Sequence, residues 1–336
     1  MTQPDPRPAV AAFLRRAGLL APGDPDPVLT PLAGGVSSDL WRADLPSGPV
    51  CVKRALAQLR VAREWLAPTS RNRVEYDWLR FARPLAPGQV PRVLGYDERA
   101  GMFAMEYLPP DRYPVWKTLL LAGQVDADAA RGVGALAGTL HAASALDAAA
   151  AARFATDDNF DALRVTPYLR VTAQAHPDLR ERLDGIAAVT AGTRLAVVHG
   201  DVSPKNILLG PDGPVLLDAE CAWYGDPAFD VAFCVNHLLL KSVKVPSAAA
   251  ALRAAARALA AAHAAHVHWE PAARLDGRVA ALTPALALAR VDGSSPVEYL
   301  TEPERATVRA AARRLLLEPP PTVSDLVDRW ATITTA

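Results

Sequence analysis

The stretch VVHGDVSPKNILL, Val197 to Leu209, decides how this chain of 336 residues is read. It sets His199, Asp201, Lys205 and Asn206 side by side between two short apolar runs. The pattern predicts strand, tight loop, strand, with Pro204 tightening the loop. A carboxylate in such a loop can accept a hydrogen bond from a substrate hydroxyl and aim it for in-line attack. An amide oxygen a few residues on can ligate a hard divalent cation.

The next segment extends the argument. In PVLLDAE, Asp218 ends an apolar strand 12 residues after Asn206, and a GPDG turn joins the two strands. Asp218 is therefore expected back beside Asn206. Glu220, at i+2, is expected on the same strand face. Two carboxylates and an amide that converge make a hard-cation site, with phosphate oxygens completing the shell. The order His-x-Asp-x-x-x-x-Asn, followed by an Asp after a hairpin, matches the catalytic loop of kinases. Asp201 is then expected to orient and deprotonate an alcohol. Asn206, Asp218 and Glu220 are expected to hold Mg2+, and Lys205 to reach the γ-phosphate of ATP.

A nucleotide site is expected earlier in the chain. In PVCVKRA, Lys53 shares a strand face with Cys51, where a phosphate-binding lysine would sit. In RNRVEYDWLR, Glu75 lies on the helical stripe of Trp78, Leu79 and Ala82, so a charge on an apolar face needs a partner. Lys53 is the expected one. In LAGGVSSDLW, Gly34 and Gly35 with Ser37 and Ser38 offer backbone amides for an anion nest over the phosphates. In MEYLPP, the backbone from Glu106 to Leu108 is where an adenine edge would pair.

Composition bounds the alternatives. Half the residues are hydrophobic (51%), and 36 basic side chains balance 36 acidic ones. That is globular rather than disordered, and it gives no basic stripe for nucleic acid and no reason to expect a membrane surface. No run of 18 apolar residues and no secretory leader is read. Three cysteines without a C-x-x-C pair point to a reducing, cytoplasmic compartment. The run HAAHVH (His263, His266, His268) has spacing that only weakly suggests zinc; a solvated helix end is the default.

Period-two patterning over Val28–Ala55 predicts three strands, Arg71–Ala82 a helix, and RVLGYDERAGMFAMEYL a hairpin. Helices are expected at 115–122, 126–152, 158–173 and 177–190, and again at 227–243, 247–268, 271–290, 302–316 and 322–332. Prolines at LPPDRYP set the boundary between a nucleotide-binding unit, 1–108, and a helical unit, 109–336, carrying the catalytic loop, metal site and acceptor site. The expected class is α+β: a two-lobed protein-kinase-like fold with a small antiparallel-sheet N-lobe and an α-rich C-lobe.

The ordered set Gly34/Gly35, Lys53, Glu75, MEYL, HGDVSPKN and DAE resembles the aminoglycoside phosphotransferase and choline kinase superfamily over about residues 28–240. A narrower similarity is to methylthioribose kinases, through KRALAQLRVAREWLAPTSRNRVE and DAECAWYGDPAFDVAFCVNHLLL. The resemblance implies ATP and Mg2+, Asp201 as base, and Asp218 and Glu220 as metal ligands. It implies a small sugar-like acceptor, with an aminoglycoside kinase and a nucleotide-binding module without turnover as alternatives. The chain departs from methylthioribose kinases at Ser203–Asn206 of the loop. Late in the chain only Arg290 remains, after Ala289, where those kinases carry paired arginines. Arg290, Asp292, Trp223 and Tyr224 are the expected acceptor contacts. The near balance of charge over 222–336 gives no support for a strongly acidic, polycation-binding pocket.

Overall fold

Alternation in SDLWRADL and GPVCVKRA becomes a ladder in which Trp41 faces Val52 and Leu40 faces Lys53. The structure, a computed structural model, describes residues 5–32, 38–56 and 69–335. Its chain divides into two units, Met1–Pro109 and Pro110–Ala336.

The first unit opens with α1 (Arg7–Arg16). Then come β1 (Val28–Pro31), β2 (Ser38–Leu45), β3 (Gly48–Ala55), α2 (Arg71–Leu85), β4 (Val93–Asp97) and β5 (Met102–Glu106). The strands form one antiparallel sheet in the order β1-β2-β3-β5-β4. Period two sends Trp41, Ala43, Val50, Val52, Met102 and Ala104 to one face, where Val10, Phe13 and Leu14 of α1 cover them. Each large apolar side chain so buried stabilises the unit by about 1.5–3 kcal/mol. Lys53 is left on the opposite face, toward α2.

The second unit is mostly helical. It begins with α3 (Trp116–Leu121), α4 (Ala127–Ser144), α5 (Ala148–Arg153) and α6 (Asp157–Phe160). A π-helical segment, Asp161–Arg170, leads into α7 (Val171–Ala175) and α8 (Arg180–Gly192). Next are β6 (Ala196–Val198), β7 (Ile207–Gly210), β8 (Gly213–Leu216) and β9 (Trp223–Gly225). β6 pairs with β9, and β7 with β8, both antiparallel. The chain ends with α9 (Ala228–Lys244), α10 (Ala249–Ala264), α11 (Ala272–Asp292), α12 (Glu302–Leu317) and α13 (Val323–Thr335).

α9 is buried on nearly every side, against α10, α11 and α12, as its almost unbroken apolar sequence requires. α10 crosses α4 so closely that a Cβ on Gly134 would meet the Leu259 carbonyl oxygen at 2.1 Å. Alanine and glycine on these helices serve close approach.

Two helical expectations change. The single helix over 126–152 is two, because Asp147 accepts from the Ala149 and Ala150 amides and starts a new helix. Leu146 turns the chain there with φ +58°. The helix over 158–173 widens to π pitch around Pro167, which has no amide hydrogen to donate. No helix among the described residues is long and apolar enough to cross a membrane.

Candidate active site

In the second unit the opening stretch runs from β6, through a loop and one 3-10 turn (Pro204–Asn206), into β7. Asp230, in the first turn of α9 and 1% exposed, holds this loop from below. Its Oδ2 accepts the His199 amide at 2.7 Å and its Oδ1 the Gly200 amide at 2.8 Å. Gly200 turns with φ +78°, and a Cβ there would meet the Cys221 carbonyl at 2.6 Å, so only glycine fits. His199 Nδ1 accepts the Asp201 amide at 3.1 Å. Burial pushes the His199 imidazole down, which keeps it neutral for that role.

Asp201 is 3% exposed. Its Oδ2 lies 2.9 Å from Arg164 Nη2 and 3.2 Å from Lys205 Nζ. Burial opposes ionisation, but Lys205 and Arg164 prevail and hold the carboxyl below its ordinary range. Its Oδ1 is buried and has no hydrogen-bond partner among the described residues. The carboxylate therefore spends one oxygen on cations and presents the other.

Arg164 lies on the π-helical segment and was not read as a site residue from the sequence. Its Nε donates to Gly200 O at 2.5 Å, and its plane lies over the rings of Tyr168 and Phe233, 5.7 and 5.6 Å from their centroids. In the sequence it is one of two arginines in that helix, set apart from Arg170 by Phe160 and Tyr168, which flank it at four residues on the same stripe. That is a weak signal, but the only one.

The GPDG turn returns the chain as expected: the Leu217 amide donates to Asn206 O at 2.9 Å, placing Asp218 beside Asn206. Asn206 Nδ2 donates to Asp201 O at 3.2 Å, which leaves the amide oxygen for other use. Asp218 helps raise the Lys205 ammonium: burial lowers it, and the Asp201 and Asp218 carboxylates outweigh that. The shared strand face expected for Asp218 and Glu220 does not form. β8 ends at Leu216, and Asp218 adopts φ +67°, breaking the alternation before Glu220, which sits in a turn. Glu220 instead contributes charge near Arg164, while its backbone carbonyl accepts from Asn159 at 2.7 Å. Among the described residues no three His, Cys, Asp or Glu side chains gather to hold a metal. The remaining donors are hard oxygens, a set that fits Mg2+ when phosphate oxygens complete it.

Of the expected acceptor residues, Arg290 reaches Tyr168 Oη at 3.2 Å, on the ring that also stacks under Arg164. Asp292 faces away from that cluster, clamped by Arg309 at 2.7 Å and His176 at 2.9 Å. Trp223 stacks on Phe160 with centroids 4.1 Å apart, and Tyr224 Oη donates to Leu195 O at 3.0 Å. Both side chains pack the body of the unit, because β9 must cover β6. His263 is buried and meets His141 at 2.8 Å, correcting the reading of a solvated helix end.

In the first unit Lys53 Nζ lies 2.5 Å from Glu75 Oε2, both side chains almost fully buried. Burial pushes the neighbouring Cys51 thiol up to about 12, so it is inert at neutral pH. Ser38 begins β2 and is buried. Gly34, Gly35 and Ser37 lie outside the described residues. The Glu106 amide donates to Arg92 O at 2.9 Å, and its carboxylate faces Arg83 at 3.5 Å. Its N–H is thus committed within the sheet, while Leu108 follows β5 in irregular backbone.

A five-stranded antiparallel unit with a buried Lys–Glu pair, and a helical unit with an HxDxxxxN loop, define a kinase-like small-molecule phosphotransferase scaffold. The chain belongs to the phosphotransferase enzyme family, whose model matches residues 28–241. It is 25% identical over 223 residues to methylthioribose kinase 2 of Oryza sativa subsp. japonica, covering 58% of this chain and 52% of that protein. It is 27% identical over 233 residues to methylthioribose kinase of Pectobacterium atrosepticum, covering 62% and 58%. The chain thus spans little more than half the length of these curated relatives. A choline/ethanolamine kinase family protein from Mesorhizobium loti shares the fold, with TM-score 0.51 and 19% identity over 97% of this chain and 98% of that one.

Proposed function

We propose that the protein transfers the γ-phosphoryl group of ATP to a hydroxyl of a small, sugar-like molecule. The observation that carries this reading is the divided Asp201 carboxylate, with Oδ2 on two cations and a buried Oδ1 without a partner. That free oxygen is suited to accept a hydrogen bond from an alcohol and fix the direction of its attack. A carboxylate held this acidic is a weak base. Asp201 therefore mainly orients the alcohol and takes its proton late, as the acceptor oxygen bonds to phosphorus and the bond to the ADP oxygen breaks.

Lys53, held by Glu75, is assigned the α/β-phosphates; Leu108 the adenine edge; and Lys205 the γ-phosphate. Asn206 and Asp218 would hold Mg2+, which would neutralise phosphate charge when bound, with Glu220 as a more distant carboxylate. The methylthioribose kinase relatives support a sugar-like acceptor. ATP consumption, screened over sugars, nucleosides, amino alcohols and aminoglycosides, tests the proposal. At least one acceptor should raise turnover well above background, and Asp201→Asn should lower it by roughly 10²–10⁴-fold with nucleotide binding intact. Binding of ATP with no acceptor-dependent turnover, or near-normal activity in Asp201→Asn, would overturn it.

A further inference from the structure

Beyond Arg164, the second unit gathers more positive charge than Asp201 answers. Lys241, on the all-round buried helix α9, is 1% exposed. Its Nζ makes a 3.4 Å contact to His237 O and lies 5.0 Å from the centre of the Tyr299 ring. Among the described residues no carboxylate lies within ion-pair distance of Lys241 or of Arg290. Arg290 commits Nη1 to Tyr168 Oη at 3.2 Å and to Ser295 Oγ at 2.8 Å. Its Nε is buried and has no partner among the described residues.

A further buried group there is likewise unpartnered among the described residues: the Tyr299 hydroxyl. The cluster is continuous with Asp201. The Tyr168 ring lies under both Arg164 and Arg290, and Phe233, also under Arg164, packs on His237 at 5.3 Å. His237 in turn feels the charges of Asp201 and Lys205 as well as those of Lys241 and Arg290.

A buried amine and a part-buried guanidinium without close counter-ions are costly, and a ligand anion is the natural means of answering them. We propose that the acceptor carries an anionic group, a carboxylate or a phosphate, which Lys241 and Arg290 grip while its hydroxyl meets Asp201. The proposal deepens the kinase reading and rests on it for the role of Asp201. A polycationic aminoglycoside would face the wrong sign of charge.

Burial, with Lys117 and Arg290 nearby, lowers the Lys241 ammonium to about 7. The other groups facing it are Glu298, an anion paired with Lys117, and Cys234, Tyr299 and His237. Burial pushes the Cys234 thiol and the Tyr299 phenol up and the His237 imidazole down, so all three stay neutral near pH 7. An anion binds the charged amine and raises its pKa in the complex. For a carboxylate the affinity is therefore steady below about pH 7 and falls as pH rises above it, by up to about ten-fold per unit, whereas a phosphate, which gains a proton near pH 6, weakens on both sides of about pH 6–7.

The test is calorimetric binding of D-gluconate, D-ribose 5-phosphate, D-ribose and kanamycin to the full chain, with ATP turnover scored separately. At least one of the two anions should bind ten-fold or more tighter than ribose. Which of them does so assigns carboxylate or phosphate. Lys241→Met, an apolar near-isostere that removes a buried amine, should abolish that preference and flatten its pH dependence. Arg290→Lys, which keeps charge but loses the Nε edge, should weaken it several-fold. Equal binding of ribose and both anions, no binding of either anion, tighter binding of kanamycin, or a preference indifferent to Lys241→Met would overturn the proposal. Anion binding without turnover of ATP would sink the kinase reading alone. Phosphorylation of ribose or kanamycin unaffected by Lys241→Met would sink the anionic acceptor alone.

Discussion

Replacing Arg164 by Met tests whether the catalytic carboxylate is held by the buried guanidinium. The substitution removes the 2.9 Å contact to Asp201 and the hydrogen bond to Gly200 O. Breaking a buried ion pair from one side costs about 3–5 kcal/mol. Lys205 still pairs with Asp201 at 3.2 Å, but its side chain is about half exposed and compensates weakly. The expected loss is therefore about 3–4 kcal/mol, or roughly 6–15 °C in Tm for a unit of this size.

The double variant Arg164→Met/Asp201→Asn removes both charges. It should be more stable than the two single losses sum to, by about 2 kcal/mol or more, in urea unfolding at pH 7. A pH series adds a second reading. The Asp201 pKa is depressed on folding, so its stabilisation is present above the ordinary carboxylate range and is lost as pH falls through the depressed folded value. Below about pH 4 the wild type should lose its advantage over Arg164→Met. Additivity within about 0.5 kcal/mol, or a gap between wild type and variant that does not change with acid, would refute the reasoning.

Lys53→Met should raise the KM for ATP with a smaller change in kcat, read from steady-state kinetics over a range of ATP concentrations. Asp218→Asn should shift the Mg2+ titration of activity to ten-fold or higher concentrations, with folding unchanged by circular dichroism. Gly200→Ala forces a Cβ to 2.6 Å from the Cys221 carbonyl at φ +78°, and should cost at least about 1–3 kcal/mol in urea unfolding.

Legibility in the sequence follows how local each interaction is. The loop residues from His199 to Asn206 are eight consecutive positions, and the hairpin that returns Asp218 is short, so spacing alone brings them together. Period two places Lys53 on its strand face, and the stripe of α2 places Glu75, so their pairing follows from two regular elements. The alternation argument fails at Glu220 because one residue, Asp218, leaves extended backbone, and a conformation with φ +67° has no signature in a run as apolar as PVLLDAE. Trp223 and Tyr224, following the metal segment, are expected at the acceptor because the sequence does not show that β9 pairs with β6 and is buried by the helices around it.

Arg164 and Asp230 were out of reach for a different reason. Each acts on the loop from another element, 36 and about 30 residues away, and from a helix whose pattern reads as core. Their burial is what makes them effective. In a low-dielectric setting Asp230 fixes two amides of the loop, and Arg164 fixes one carbonyl and one carboxylate oxygen. Four backbone and side-chain groups around Gly200 and Asp201 are thereby set before any ligand arrives. Among the described residues the only acceptor of Asp201 left uncommitted is Oδ1, so the direction in which this site can hold an alcohol is decided by residues that never touch it.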